Sequence, residues 1–315
     1  MNLNEVIAVI DCGTNTFNLL ITKATEGAKL QKLYSDRIAV RLGENGINSG
    51  FIAQTAYNRG ISALAQFSEI IATHSATTAI ALATSAIRDA SNGNTFVQEV
   101  KQKFNINLQV IDGNREAELI YYGNKAALDL GSETALIMDI GGGSNEFILC
   151  NNTQIFWKQS FRVGAARLLE LFPHQNPITS KEIETINDYL NQQLFDLLQA
   201  AKKFPPLQLV GSSGAFDSII EMIAAELNGE AFSSDKTGYD VNMQNYQTIA
   251  NLVIASNLEQ RKKIKGLVPM RVDMMVISCL MINHILTSLQ LKKLKVSTYS
   301  LKEGALYQYI QSHTK

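Results

Sequence analysis

Two short segments carry the residue types that handle phosphate. Asp11-Cys12-Gly13-Thr14-Asn15-Thr16 and Asp139-Ile140-Gly141-Gly142-Gly143-Ser144 each set a carboxylate at the end of an apolar run, followed by a glycine-containing turn with a hydroxyl. Such a turn can aim several backbone N–H groups and a Ser or Thr O–H at phosphate oxygens, while the strand-end Asp holds a divalent cation directly or through water. Aligning Ala8–Ile21 with Leu136–Leu149 places Asp11 on Asp139, Gly13 on Gly141 and Thr16 on Ser144. Alone, Asp-x-Gly or Gly-Gly-Gly is more often a plain hairpin turn. Found twice in matched context, the pair reads as a phosphate clamp, with Gly13, Thr14, Asn15, Thr16, Gly141, Gly142, Gly143 and Ser144 as phosphate binders and Asp11 and Asp139 as cation ligands.

The elements around these turns define them further. Leu19, Leu20 and Ile21, and Phe147, Ile148 and Leu149, follow the turns without a break and with β-like composition, so each turn closes a hairpin. A Walker loop or a Rossmann turn needs a following helix, and the Walker Gly-Lys-Ser/Thr is missing. Strands are expected at Val6–Ile10, Phe17–Thr22, Thr78–Leu82, Leu108–Ile111, Leu136–Met138, Glu146–Leu149, Leu207–Val210 and Leu294–Ser297. Helices are expected at Gln54–Ile71, Thr95–Phe104, Arg115–Leu128 and Val272–Leu289, with a long one opened by the capping-box spacing Thr179-Ser180-Lys181-Glu182 and stopped after Lys203 by Pro205-Pro206. The alternation predicts an α/β architecture.

Composition narrows the class. At 315 residues, 46% hydrophobic and 18% charged, the chain suits two globular domains of ordinary size. Its 28 basic and 29 acidic residues nearly cancel, so any anion site is local, and no aromatic interleaving supports nucleic-acid binding. Arg261-Lys262-Lys263-Ile264-Lys265 and Lys292-Lys293-Leu294-Lys295 read as solvated faces that can also guide a polyanion. Cys12, Cys150 and Cys279 form no Cys-x-x-Cys pair, and the four histidines lack metal-ligand spacing, which argues against a thiolate or histidine metal centre and for a reducing compartment. The N-terminus lacks a basic region before its first apolar run, and Ser278, Asn283 and His284 interrupt the longest apolar helix. A cytoplasmic protein without membrane attachment is expected.

At this point the chain resembles the exopolyphosphatase and guanosine-pentaphosphate phosphatase family (Ppx/GppA), within the actin, sugar-kinase and heat-shock-chaperone ATPase superfold. The resemblance is carried by IDCGTNTFNLLI at 10–21, VRLGEN at 40–45, ATSAIRDASN at 83–92, IDGNREAELIYYG at 111–123 and MDIGGGSNEF at 138–147. It continues through RVGAARLLELF at 162–172, GSSGA at 211–215, GLVPMRVD at 266–273 and SLKEG at 300–304. It implies a two-lobed, actin/ribonuclease-H-like fold of duplicated domains with the substrate in the cleft. The lobes would be 1–122, completed by a returning C-terminal helix at about 300–315, and 123–299. It also implies Mg²⁺ or another divalent cation such as Mn²⁺, and hydrolysis of a terminal phosphoryl group from polyphosphate or guanosine pentaphosphate; a homodimer would fit.

Phosphoanhydride hydrolysis requires an in-line water, a carboxylate to orient or deprotonate it, and neutralisation of the transferred oxygens. Glu116, in the first turn of its helix, matches the family's catalytic glutamate, although an acid there also suits the helix dipole. Glu146 matches the second family carboxylate, which would assist the water or the cation; a solvent-facing strand residue is its alternative. Arg88 can bridge phosphate oxygens with planar geometry, or form an ordinary helix-start salt bridge. Gly211, Ser212 and Ser213 sit where a strand-to-helix turn can hold a phosphate or a ribose edge, or where it merely connects strand to helix, which the spacing alone fits equally. Four residues depart from the family pattern: Asn114-Arg115 replaces an acidic run and sets positive charge beside Glu116, Asn145 replaces a threonine, and Lys302 an arginine. An ATP-dependent kinase or ATPase of the same superfold and a non-catalytic alarmone or phosphate sensor are the competing readings. Little basic surface is expected beyond the Ser-Leu-Lys-Glu-Gly motif, so remote contacts with a long polyanion are few. Weak processivity follows: gels of long polyphosphate under excess substrate should show all chains shortening gradually, and full-length chains coexisting only with end products would contradict it.

Overall fold

The computed structural model of the chain describes residues 5–25, 30–227, 233 and 236–313. The chain divides into two compact units, Met1–Gly123 with Leu301–Lys315, and Asn124–Ser300.

In the first unit, β1 (Val6–Cys12), β2 (Thr16–Ala24) and β3 (Leu30–Ala39) form an antiparallel meander, and β4 (Thr78–Ala83) and β5 (Leu108–Val110) add in parallel beyond β1. The sheet order is β3-β2-β1-β4-β5. Helices α1 (Gln54–Thr73), α2 (Ser85–Arg88), α3 (Gly93–Phe104) and α4 (Gly113–Ala127) follow, the unit boundary falling inside α4. The second unit repeats the plan. Its meander is β6 (Ala135–Ile140), β7 (Asn145–Cys150) and β8 (Ile155–Phe161), with β9 (Gln208–Ser212) and β11 (Leu294–Ser297) parallel to β6 and β10 (Gly238–Val241) antiparallel at the far edge. Its helices are α5 (Ala165–Leu171), α6 (Ser180–Gln193), α7 (Phe195–Lys203), α8 (Gly214–Leu227), α9 (Met243–Ala255), α10 (Leu258–Arg261) and α11 (Met275–Ser288). The closing helix α12 (Leu301–His313) belongs to the first unit.

The burial explains the sequence patterns. Every residue of β6 and β7 is buried, as continuous apolar runs in a sheet covered on both faces require. Around α11, buried residues occupy all sides, which marks a core helix. Among the described residues no helix is long and apolar enough to cross a membrane. Two expectations need correction. The long helix opened at Thr179, where the capping box forms, breaks at Leu194, which leaves helical geometry (φ −97°, ψ 16°) yet stays buried, so the bend follows the core and no Gly or Pro announces it. The strands β3, β8 and β10 escape the alternation rule. All three are sheet edges, where Lys32, Asp36 and Arg37 in β3 and Lys158 and Gln159 in β8 interrupt the apolar pattern, as edge strands exposed to solvent tolerate.

In the Ser-Leu-Lys-Glu-Gly motif, the glycine has a packing reason. A Cβ on Gly304 would stand 1.8 Å from the Leu119 carbonyl oxygen and 3.0 Å from the Gly123 nitrogen, so α12 lies directly on the backbone of α4. Gly304→Ala should therefore destabilise the first unit by about 1–3 kcal/mol, the usual cost of overpacking. Urea denaturation followed by circular dichroism checks this, and an unchanged midpoint would contradict it.

Candidate active site

The two hairpin turns have the same backbone design. Gly13 N–H donates to the Thr16 carbonyl at 3.2 Å, and Gly141 N–H to the Ser144 carbonyl at 3.0 Å. In each, the carbonyls within the turn are taken up by the chain that follows the third strand of the meander. Val40 and Arg41 N–H donate to Asn15 O (3.0 and 2.8 Å) and Gly43 N–H to Thr14 O (3.2 Å). In the second unit Ala165 N–H donates to Gly141 O (2.9 Å), and Ala166 and Arg167 N–H to Gly142 O (2.9 and 3.0 Å). Gly143 O accepts from Arg167 Nε at 2.9 Å and from Gly164 N–H at 3.4 Å. A trans peptide points its N–H opposite to its carbonyl. The N–H groups of Gly142, Gly143 and Ser144 thus face away from α5, and among the described residues none of them has a protein acceptor. Contiguous N–H groups of this kind make an anion-binding nest.

The carboxylates are set by register. Across the second sheet, Ser212, Asp139, Glu146 and Ser160 stand side by side on β9, β6, β7 and β8. Asp139 Oδ2 accepts from Ser212 Oγ and from Ser300 Oγ, and Glu146 Oε1 accepts from Ser160 Oγ at 2.6 Å. Asp139 and Glu146 are 6% and 1% exposed, so two like charges lie on adjacent strands with little water. That arrangement is unfavourable by itself and suited to a cation. The matching row of the first unit is Leu82, Asp11, Asn18 and Arg37. There Asn18 Nδ2 donates to Asp11 Oδ2 at 3.1 Å, and neither a second carboxylate nor a hydroxyl stands in the row. The duplicated aspartates, equivalent by motif, have different surroundings.

Glu116 is 6% exposed in the first turn of α4, whose start is capped by Asp112 Oδ1 accepting from Arg115 N–H at 2.8 Å. Arg88, at the end of α2, donates from Nη1 to Glu116 Oε2 at 3.0 Å and to the Ile111 carbonyl at 3.1 Å, with Asp89 3.3 Å from its Nε. Arg88 thus brings a positive charge into contact with Glu116. Arg115, expected beside it, turns to Glu118 at 3.0 Å and to Gln308. Lys302 pairs with Glu303 at 2.8 Å. Asn145 points into the core, its Nδ2 3.8 Å from Met281 Sδ.

The Ser212 hydroxyl serves Asp139, the Ser213 hydroxyl donates to the Ile140 carbonyl at 2.8 Å, and Gly211 leaves room for the Phe216 ring, which a Cβ would meet at 2.1 Å. These side chains position the Asp139 strand. Arg261, placed in a basic face by its sequence, is 1% exposed and holds the Ser256 carbonyl and Asn176 Oδ1 at 2.5 and 2.6 Å; burial pushes its pKa down. Of that stretch, Lys262, Lys263 and Lys265 are exposed. Ser160, Ser300, Gly164 and Arg167 were not singled out from sequence. Ser160 could have been found by extending the hairpin register one strand, whereas Ser300 could not.

Sheet order, duplication and paired Asp-x-Gly hairpins define the chain as an α/β protein of the actin-like ATPase fold. A family model described as the Ppx/GppA phosphatase family matches residues 20–313, and the chain belongs to that family, whose members are hydrolases of phosphoanhydride bonds. A crystal structure of an exopolyphosphatase from Cytophaga hutchinsonii is 37% identical, covers 98% of both chains and has a TM-score of 0.95. The Aquifex aeolicus family member, 22% identical with a TM-score of 0.81 and covering 99% of both chains, shares the fold. Exopolyphosphatase 2 of Mycobacterium tuberculosis is 26% identical over 322 residues, covering 95% of this chain and 96% of its own. The bifunctional 3-dehydroquinate synthase/phosphatase of Fusobacterium nucleatum is 29% identical over 294 residues; the match covers 90% of this chain and 43% of the length of that protein.

The Arg88–Glu116 contact is largely buried, with side chains 20% and 8% exposed. A double-mutant cycle of Arg88→Met and Glu116→Gln, read by urea denaturation, should give a coupling of about 1–3 kcal/mol; additive effects would mean the pair is not formed.

Proposed function

We propose that the chain is a metal-dependent phosphatase that hydrolyses the terminal phosphoanhydride of inorganic polyphosphate, of guanosine pentaphosphate, or of both, releasing orthophosphate. The observation that carries this reading is the buried Asp139–Glu146 pair set beside a turn whose N–H groups face away from their own helix. Its kinship with exopolyphosphatases points the same way.

The donor set fits Mg²⁺. Among the described residues no three His, Cys, Asp or Glu side chains cluster as a metal cage. Mg²⁺ needs no such cage, since it is held through one or two carboxylates together with waters and substrate phosphates. Asp139 would hold it, with Glu146 beside it, and the cation would neutralise phosphate oxygens. Asp11, bonded to the neutral Asn18, is the weaker of the two duplicated ligands.

The side chains supply the remaining chemistry. Glu116 orients the attacking water and takes its proton. A guanidinium has five N–H donors, so Arg88 can keep its bond to Glu116 while reaching a phosphoryl oxygen, fixing base and electrophile through one planar group. The N–H groups of Gly142, Gly143 and Ser144 bind further phosphoryl oxygens, and Gly13 to Thr16 serve likewise in the first unit. The cysteines Cys12, Cys150 and Cys279 are unpaired and buried, and burial pushes the thiol of Cys279 up to about 12. Inert thiols of this kind support a cytoplasmic setting, which belongs to the proposal.

Phosphate release from polyphosphate, guanosine pentaphosphate and ATP in parallel, with and without Mg²⁺, tests the reading; release only from ATP would replace it with an ATPase. Glu116→Gln should lower kcat by roughly 10²–10⁴-fold with KM nearly unchanged, as loss of a general base does, and near-normal turnover by the folded variant would remove Glu116 from the chemistry. Asp139→Asn should raise the Mg²⁺ concentration for half-maximal rate about tenfold or more, and Asp11→Asn should raise it less; equal metal titrations for both variants and wild type would contradict the cation assignment.

A further inference from the structure

The segment Arg162–Phe172 matches a family motif, yet none of its side chains has a role in the reaction as described. Its placement assigns one. Gly164 leaves no room for a side chain, since a Cβ would stand 2.5 Å from the Gly142 carbonyl and from the Gly143 carbon, so residues 164–167 lie directly against the glycine turn. Three consecutive turn carbonyls are then held by this segment. Backbone N–H groups hold Gly141 O and Gly142 O at 2.9–3.0 Å. The third, Gly143 O, has only a long backbone bond at 3.4 Å, and its short bond, 2.9 Å, comes from the Arg167 side chain. Arg167 is 4% exposed, so its guanidinium is committed to the interior.

The peptide that carries Gly143 O also carries the N–H of Ser144. The other two planes are fixed by main chain. This plane alone depends on a side chain, and it lies beside a glycine, whose backbone reorients at little steric cost. We propose that Arg167 is a positioning residue that fixes the Gly143–Ser144 peptide so that the Ser144 N–H is presented to a phosphoryl oxygen of the substrate and of the orthophosphate product. The inference rests on the reading of Gly141–Ser144 as a phosphate-binding turn.

Arg167→Met and Arg167→Lys in the full chain test it, with Ser144→Ala and Gly143→Ala as probes of the turn itself. The readouts are kcat, KM for polyphosphate, inhibition by inorganic orthophosphate, and the thermal midpoint. Losing one oriented donor from ground and transition states alike should raise KM and the orthophosphate inhibition constant about three- to tenfold, with kcat changed much less. The lysine variant, a point donor without the planar fork, should fall between wild type and Arg167→Met. If the turn variants weaken orthophosphate inhibition and Arg167→Met alters only the thermal midpoint, the positioning role is overturned and the turn reading stands. If the turn variants leave orthophosphate inhibition unchanged, the turn is not a phosphate site and the proposal falls with it. Should Arg167→Met not fold, Arg167→Lys decides, and wild-type KM and inhibition in that variant overturn the proposal.

Discussion

Placing two carboxylates on neighbouring strands inside a covered sheet is the constraint around which the second unit is organised. Asp139 and Glu146 face each other across β6 and β7 with almost no solvent, and their repulsion opposes the strand pairing that brings them together. Hydroxyls from β8, from β9 and from Ser300 each donate a hydrogen bond to one of these carboxylates without adding charge. Those bonds lower the cost of burial while leaving the net charge in place. A cation that bound here would be linked to the stability of the sheet itself, since whatever binds the folded state in preference to the unfolded one stabilises it.

Comparison of the two units separates what duplication keeps from what it releases. Both turns retain the Gly N–H bond across the hairpin, and both have their carbonyls satisfied by the chain after the third strand. Buried backbone groups must be paired whatever the side chains do, so this scaffold resists change. The side-chain rows are under no such requirement. One has become Ser, Asp, Glu, Ser and the other Leu, Asp, Asn, Arg, so the same backbone plan supports a carboxylate pair in one half and an aspartate bonded to an asparagine amide in the other.

The hairpins, the helix carrying Glu116 and the capping box at Thr179 were legible because each rests on neighbouring residues: period, turn chemistry and cap spacing. The edge strands β3, β8 and β10 were not, since an edge needs only one lateral partner and tolerates charge. The bend at Leu194 is set by the core it packs against. The contact of Arg88 with Glu116 was likewise out of reach. Arg115 adjoins it in sequence, but helical geometry turns adjacent residues apart, and Arg88 reaches it from another element. Ser212 and Ser213 were read from sequence as part of a turn that can hold a phosphate or a ribose edge, whereas their hydroxyl partners, Asp139 and Ile140, lie on a neighbouring strand that local sequence does not encode.

The position of α12 has a consequence for how the chain is made. Leu301–His313 packs with β1 and on α4 in the first unit, although the ribosome delivers it after the whole of Asn124–Ser300. The second unit is continuous in sequence and can fold as it emerges, while the first, begun earlier, waits with the backbone of Leu119 and Gly123 uncovered until the last helix arrives. During that interval the nascent chain carries an unfinished apolar surface of its own, the kind of surface that chaperones retain.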